Sequence, residues 1–192
     1  MPIIRIALLA SGSGTNAENI VRYFSGRKDV LISLIISNKP DAFVLKRAEK
    51  LGVPSVVMAK ETLEHPDSLL AVLTEHKIDF IVLAGFLLKV PAEVIRSFPG
   101  RILNIHPALL PKHGGKGMYG NRVHEAVIHA GEKESGITIH LINEQYDEGA
   151  MVYQATCPVL PDDTPDVLAA RIHLLEYEHY PRVIDETLKK VF

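Results

Sequence analysis

The stretch that decides the fold is "IIRIALLASGSGTN", residues 3–16, in which an apolar run leads into a turn with two glycines. A continuous run of this kind predicts a strand buried on both faces, as in parallel sheets. Gly12 and Gly14 indicate a tight turn, and residues 16–25 have the apolar period of a helix. The chain therefore begins as a strand, a turn and a helix.

The same order repeats through the first half of the chain. Further apolar runs, each followed by a helix-periodic segment, are "VLISLIIS" (30–37), "PSVVMA" (54–59) and "DFIVLAG" (79–85). This alternation predicts a doubly wound, mostly parallel α/β sheet with helices on both faces. We expect three α/β/α layers whose first half resembles a Rossmann fold.

From residue 101 the regular alternation of apolar runs and helix-periodic segments ends. Strands are expected in "RILNIH" (101–106), "GITIHLIN" (136–143) and "MVYQATCPVL" (151–160), with a helix near 122–131 and a closing helix from about 164. The last two strands have no helix between them, which predicts one antiparallel member in the sheet. Neither a repeat nor a linker interrupts the sequence, so we expect a single domain over 1–192.

Composition narrows the class of protein. The 192 residues are 47% hydrophobic and carry a net charge of -2, which fits a globular protein and offers no general attraction for nucleic acid. The single cysteine, Cys157, forms no internal disulfide, and we expect a reducing, cytoplasmic setting. Arg5 and the break at Ser11 make the first apolar run too short to span a membrane. The histidines show no metal-ligand spacing, so no metal is expected.

The turn "ASGSGTNAEN", residues 10–19, opens the first helix, where free amides and the helix dipole favour a phosphate. Gly12, Gly14 and Ala17 also fit the dinucleotide fingerprint G-x-G-x-x-A. Asn38, however, ends the second strand where a dinucleotide fold usually places a ribose-binding acid. A monophosphate site is favoured over a dinucleotide site and over a turn without a ligand.

Asn104 and His106 lie two residues apart at the end of a strand, so they share one face at the edge where open α/β sheets bind ligands. Two donors at one point suit a developing oxyanion, although a lone histidine is often a core group. Asp147 in "NEQYDEGAMVYQ" (143–154) and Glu176 on the last helix are the candidate carboxylates. Taken alone, both also fit a solvated turn or helix face.

Five motifs occur in one order and cover essentially the whole chain: "SGSGTN", "VLAGFLLKVP", "RILNIHPALLPKHGG", "GITIHLINEQYDEGAMVYQ" and "EYEHYPRVI". Together they resemble the folate-dependent phosphoribosylglycinamide formyltransferase family. "NIHPALLP" followed by "YDEG" is shared with other 10-formyltetrahydrofolate enzymes, whereas "SGSGTN" is typical of this family. The resemblance implies a seven-stranded mixed sheet of the formyltransferase fold.

The resemblance also assigns roles to residues. It implies that the catalytic set is Asn104, His106 and Asp147. The implied binding residues for the phosphoribosyl substrate are Gly14, Thr15, Asn16 and Glu176. The implied folate contacts are Leu87, Leu88, Lys89, Val90, Asn104, Asn143, Glu144, Gln145, Tyr146 and the backbone up to Asp147.

The implied reaction is formyl transfer from 10-formyltetrahydrofolate to the amine of 5'-phosphoribosylglycinamide, in purine biosynthesis. Attack by the amine forms a tetrahedral oxyanion, which Asn104 and a cationic His106 would stabilise with support from Asp147. The alternatives are a deformylase, a sugar or tRNA formyltransferase, or a non-catalytic nucleotide-binding module. The expected partners are small-molecule substrates only, without nucleic acid or membrane, for a monomer or homodimer.

The segment "HGGKGMYGNRVHE", 113–125, is longer than the usual family link into the next helix. It holds four glycines within 113–121, so we expect these residues to form a mobile lid.

Overall fold

The computed structural model describes residues 3–145 and 147–192, which divide into two compact units, one up to Ile102 and one from Leu103. The strands are β1 (Ile4–Leu9), β2 (Val30–Ser37), β3 (Ser55–Val57), β4 (Phe80–Leu83), β5 (Ile102–His106), β6 (Glu134–Leu141) and β7 (Met151–Pro158). The helices are α1 (Thr15–Phe24), α2 (Phe43–Leu51), α3 (Lys60–Leu63), α4 (Pro66–Glu75), α5 (Ala92–Ser97), α6 (Asn121–His129) and α7 (Pro165–Val191).

The strands form one seven-stranded sheet in the order β3-β2-β1-β4-β5-β6-β7. β1 pairs in parallel with β2 and β4, and β2 pairs in parallel with β3. β6 runs antiparallel to both of its neighbours, β5 and β7. The expected α/β fold with a mostly parallel sheet and one antiparallel strand is confirmed.

In the first unit β1 and β4 are buried on both faces over most of their length, whereas β3, from "PSVVMA", is exposed at both ends. Ile6 to Leu9 of β1 and Phe80 to Val82 of β4 are each 0% exposed, because side chains on both faces of these strands are covered. The glycine turn predicted after β1 leads into α1, and Gly52 ends α2 in a left-handed conformation, φ 67°. Because β1 pairs in parallel with β2 and β4, the carboxyl ends of these three strands lie at one edge of the sheet.

In the second unit β6 and β7 form a hairpin, and α7 packs against both strands. α7 begins after Thr164, whose hydroxyl accepts a hydrogen bond from the amide of Val167 at 3.3 Å. The hydroxyl of Tyr180 donates to the carbonyl of Leu103 at 3.2 Å and ties this helix to β5. The closing helix expected from about 164 is confirmed.

The expectation of a single domain over 1–192 stays a prediction. Over residues 3–145 and 147–192, no helix has both the length and the apolar character needed to cross a membrane.

Candidate functional site

The second unit brings Asn104, His106 and Asp147 together with a fourth residue, His140. The antiparallel register places Asn104 opposite His140 and His106 opposite Thr138, so their side chains emerge on one face. The amide nitrogen Nδ2 of Asn104 lies 3.0 Å from Nε2 of His140, and Asp147 Oδ1 lies 3.6 Å from that same nitrogen. Two of the three residues assigned from the sequence, Asn104 and Asp147, therefore meet at a second imidazole.

The ring nitrogens of His140 have distinct roles. Nδ1 lies 3.2 Å from the carbonyl oxygen of Leu141, which only accepts, so Nδ1 carries the proton. Nε2 lies between the Asn104 amide and the Asp147 carboxylate, and in the ring that carries its proton on Nδ1 it accepts from that amide and orients it. One of the two N–H groups of Asn104 is used in this contact.

His106 is held at both nitrogens. Nε2 lies 2.8 Å from the carbonyl oxygen of His113, and it carries a proton for the same reason. Nδ1 faces Asp147 Oδ2 at 3.6 Å, which is within ion-pair distance but too long for a hydrogen bond. The proton that this histidine gains or loses is therefore the one on Nδ1, beside the carboxylate.

Burial and neighbouring groups shift the pKa values of His106 and Asp147. Burial lowers the pKa of His106, which is 3% exposed, and outweighs the opposing effect of the Asp147 charge. Burial alone would raise the pKa of Asp147, but the His140 ring, which donates to the carboxylate when Nε2 carries a proton, the His106 charge and the Gly115 amide favour the charged form and lower that pKa. The mechanism expected from the sequence has a cationic His106, whereas the structure favours a neutral imidazole next to a carboxylate.

Backbone groups of residues 113–115, in the segment after β5, contact the cluster formed by Asn104, His106, His140 and Asp147. The amide of Gly115 donates to Asp147 Oδ2 at 2.9 Å, and the carbonyl of His113 is the partner of His106. A Cβ on Gly114 would lie 2.5 Å from the Leu110 side chain and 3.4 Å from Cβ of Asp147. Gly114 therefore allows the chain to approach the carboxylate closely, and Gly115 adopts φ 95°, which a side chain would disfavour.

Thr138 fixes the start of that segment. Its hydroxyl donates to the carbonyl of Ala108 at 2.7 Å and accepts from the amide of Leu110 at 3.0 Å. The side chain of Gln154 donates to the Leu110 carbonyl at 3.0 Å. β6 and β7 thus hold the chain that follows His106.

Asp147 and the neighbouring His113 have an uncommon backbone conformation. His113 and Asp147 adopt positive φ angles of 55° and 56°, which non-glycine residues rarely do. Such conformations often occur at functional sites, where the surrounding contacts compensate for their cost.

Glu176 lies on α7 and is 5% exposed. Its carboxylate oxygen Oε2 lies 2.9 Å from Nδ1 of His173, one turn earlier on the helix. This hydrogen bond raises the pKa of His173 against the opposing effect of burial. The predicted substrate-binding carboxylate is thus a buried group with a basic partner, not a residue of a solvated helix face.

The predicted phosphate turn lies in the first unit. The amide of Val44 donates to the carbonyl of Gly12 at 3.1 Å, and Arg47 Nε donates to the carbonyl of Ser13 at 2.9 Å. The carbonyl and amide of a trans peptide point in opposite directions, so the amides of Ser13 and Gly14 face away from α2. Gly14 precedes α1 with φ 75° and makes no side-chain cap. The turn therefore presents backbone donors at a helix start.

Thr15 and Asn16 are the first residues of α1, and their amides precede the first intrahelical hydrogen bond. The structure adds a packing reason for the glycine at 14, because a Cβ there would overlap the side chain of Val44.

The predicted folate contacts fall in both units. Within 87–90, Leu87 is 41% exposed, Leu88 is half-buried, Lys89 is exposed, and Val90 is only 3% exposed.

In the second unit, Asn143, Glu144 and Gln145 begin the turn between β6 and β7. The amide of Gln145 donates to the Asn143 side chain at 2.9 Å. Tyr146, also predicted to contact folate, lies outside the described residues.

Sequence reasoning missed His140 and the backbone of residues 113–115. The signal for His140 was present, because "GITIH" places Thr138 and His140 two apart on a strand expected beside "NIH". The backbone groups of His113 and Gly115 carry no signal in residue type. Within the described parts of the chain, no group of three or more histidine, cysteine, aspartate or glutamate side chains is arranged to hold a metal.

Comparisons with known proteins agree with this fold. The family model described as "Formyl transferase" matches residues 4–184. A phosphoribosylglycinamide formyltransferase of Haemophilus influenzae is 40% identical over 185 residues, which are 94% of this chain and 85% of that protein. The chloroplastic phosphoribosylglycinamide formyltransferase of Arabidopsis thaliana is also 40% identical, over 94% of this chain, but the chain spans only 64% of its length.

A solved structure shows the same likeness. The crystal structure of phosphoribosylglycinamide formyltransferase from Bacillus halodurans has a TM-score of 0.88 and 33% identity, and the match covers 98% of this chain and 97% of that one. The chain therefore belongs to the formyl transferase family, among relatives named phosphoribosylglycinamide formyltransferase.

Proposed function

We propose that this protein transfers a formyl group from 10-formyltetrahydrofolate to the amine of 5'-phosphoribosylglycinamide. The observation that carries the proposal is the cluster in which Asn104, His106 and Asp147 lie together, with the Asn104 amide held by His140. Acyl transfer to an amine requires a hydrogen-bond donor for the oxyanion and a group that accepts a proton. The amide of Asn104 is such a donor, and the neutral imidazole of His106 beside the Asp147 carboxylate is such an acceptor.

Asn104 is assigned to the developing oxyanion. As the amine nitrogen bonds to the formyl carbon, the carbonyl π electrons move to oxygen, which becomes O⁻ in a tetrahedral intermediate. Since His140 takes one N–H of the Asn104 amide, the second N–H is the donor that we assign to this oxygen.

His106 and Asp147 are assigned to the proton. The attacking amine must lose a proton, and Nδ1 of a neutral His106 accepts it to form an imidazolium that faces the Asp147 carboxylate. When the intermediate collapses, the C–N bond to the folate breaks, and the departing folate nitrogen takes that proton from the His106 imidazolium. The formyl group leaves the folate and the substrate gains a formamide, so atoms and protons balance.

The binding assignments complete the proposal. Gly14, Thr15 and Asn16 would hold the substrate phosphate, since the turn presents backbone donors at a helix start. Glu176 would accept from hydroxyl or amine groups of the same substrate. The folate would contact residues 87–90 and 143–147. A cytoplasmic location, a monomer or homodimer, and the absence of nucleic acid stay predictions.

The test is a direct assay with the purified chain, both substrates and detection by mass spectrometry. The expected product is the ribonucleotide with one added formyl group, together with tetrahydrofolate. Release of free formate without formylated product would indicate a deformylase instead. Formylation of aminoacyl-tRNA or a nucleotide sugar in competition would indicate the other formyltransferases, and binding without turnover a non-catalytic module.

A further inference from the structure

We propose that Ser11 is a positioning residue for the folate. Although it stands in the motif "SGSGTN", its hydroxyl holds the backbone of Leu87 and thereby the segment 87–90. The inference rests on the proposed function, which assigns that segment to the folate, and it adds a role for a residue that contacts neither substrate in the assignment above.

Ser11 forms hydrogen bonds with residues that follow two strands, β2 and β4. Ser11 lies two residues after the end of β1 and is 2% exposed. Its amide donates to the carbonyl of Gly85 at 3.0 Å, and its hydroxyl oxygen accepts from the amide of Leu87 at 2.9 Å. The hydroxyl in turn donates to Oδ1 of Asn38, beyond β2, at 2.5 Å. β1 lies between β2 and β4 in the sheet, so one side chain reaches both neighbours.

Asn38 gives the hydroxyl its direction. A serine hydroxyl has one hydrogen and two acceptor positions, and without a partner it rotates. Because the carbonyl oxygen of Asn38 takes the hydrogen, a lone pair is left facing the amide of Leu87. Asn38 therefore acts on Leu87 through Ser11.

The hydroxyl serves segment 87–90 and not the phosphate turn. The carbonyls of Gly12 and Ser13 are held from α2 by Val44 and Arg47, and neither bond involves Ser11. Removing the hydroxyl also leaves the backbone bond from Ser11 to Gly85 in place. The expected damage is confined to the chain that follows Gly85, where Leu87 and Leu88 begin the predicted folate wall.

The experiment compares Ser11→Ala with the wild type in steady-state kinetics for both substrates. We expect the KM for 10-formyltetrahydrofolate to rise roughly three- to tenfold, which is the range for one lost hydrogen bond, with kcat and the KM for the ribonucleotide changed by less than about twofold. Hydrogen exchange of the Leu87 amide should be faster in the variant. Asn38→Ala should change the folate KM in the same direction by a smaller factor.

Ser33→Ala is the matched control. The hydroxyl of Ser33, on β2, is buried and has no hydrogen-bond partner among the described residues, so its removal should change neither KM.

Three outcomes separate the claims. An unchanged folate KM in Ser11→Ala, or equal rises in both KM values, overturns the positioning role while leaving wild-type formyl transfer standing. Absence of transfer by the wild type overturns the proposed function itself, and the positioning role with it. If Ser11→Ala does not fold, the same comparison of KM values in Asn38→Ala decides.

Discussion

Asp147→Asn tests the charge on which the proton transfer depends. The substitution keeps the shape of the side chain and an oxygen that can accept from the Gly115 amide, but it removes the negative charge 3.6 Å from Nδ1 of His106. At this distance, with an effective dielectric constant of about 20, a full ion pair is worth about 4.6 kcal/mol. If that interaction forms only as His106 takes up the proton, its loss corresponds to roughly a thousandfold in rate.

We therefore expect kcat to fall on the order of 10²- to 10³-fold in Asp147→Asn, with the KM for folate changed much less. The pH profile tests the direction in which the pKa of His106 changes. The Asp147 charge raises the pKa of His106, so its removal lowers that pKa further, and the acidic limb of kcat/KM should move to lower pH. The assay is initial-rate formyl transfer across a pH series.

Glu148→Gln is the control, because it makes the same chemical change at the next residue, which is exposed. The double variant His106→Ala with Asp147→Asn should lose little more than the worse single variant, since the two groups act as a unit. A loss equal to the product of the two single losses would refute the pairing, as would an Asp147→Asn rate within about tenfold of the wild type.

Three further predictions concern the phosphate turn, residues 113–121, and the histidines at 106 and 173. Gly14→Val forces a β-branched residue to φ 75° against Val44, so it should raise the KM for the ribonucleotide far more than that for folate, and equal changes would contradict the phosphate assignment. Amide exchange across 113–121 should slow when both ligands are bound, beginning with Gly115, and unchanged exchange would remove the lid from the mechanism. Folded His106 has a lowered pKa, so its contribution to stability is lost as the pH falls below about 6.5, whereas His173, with a raised pKa, contributes most below that value. Between pH 7.5 and pH 5, the free energy of unfolding should thus fall less steeply in His106→Gln and more steeply in His173→Gln, measured with denaturant; the same slope in both variants would contradict these signs.

Asp147 also shows how far sequence reasoning reaches into the site. It stands in a turn whose residue types fit a solvated loop, and only the resemblance to a family singled it out. The structure half-buries it, gives it the Gly115 amide, and places it against two imidazoles. Those imidazoles, His106 on β5 and His140 on β6, are 34 residues apart in the sequence.

The sequence by itself determined the order of the strands and of the helices other than the four-residue α3, and the positions of Asn104 and His106 on one strand face. Both follow from local periodicity, which depends on neighbours a few residues apart. It also indicated the turn that begins α1, because glycines and a helix start are local signals.

Only the tertiary structure decided which groups those side chains meet. The strand register sets His140 against Asn104, and the backbone of residues 113–115 reaches His106 and Asp147 through groups that every residue carries. The neutral state favoured for His106 depends on its burial, which the whole unit produces. Likewise Ser11 is one small polar residue in the sequence, and its link to Leu87 exists because β1 lies between β2 and β4.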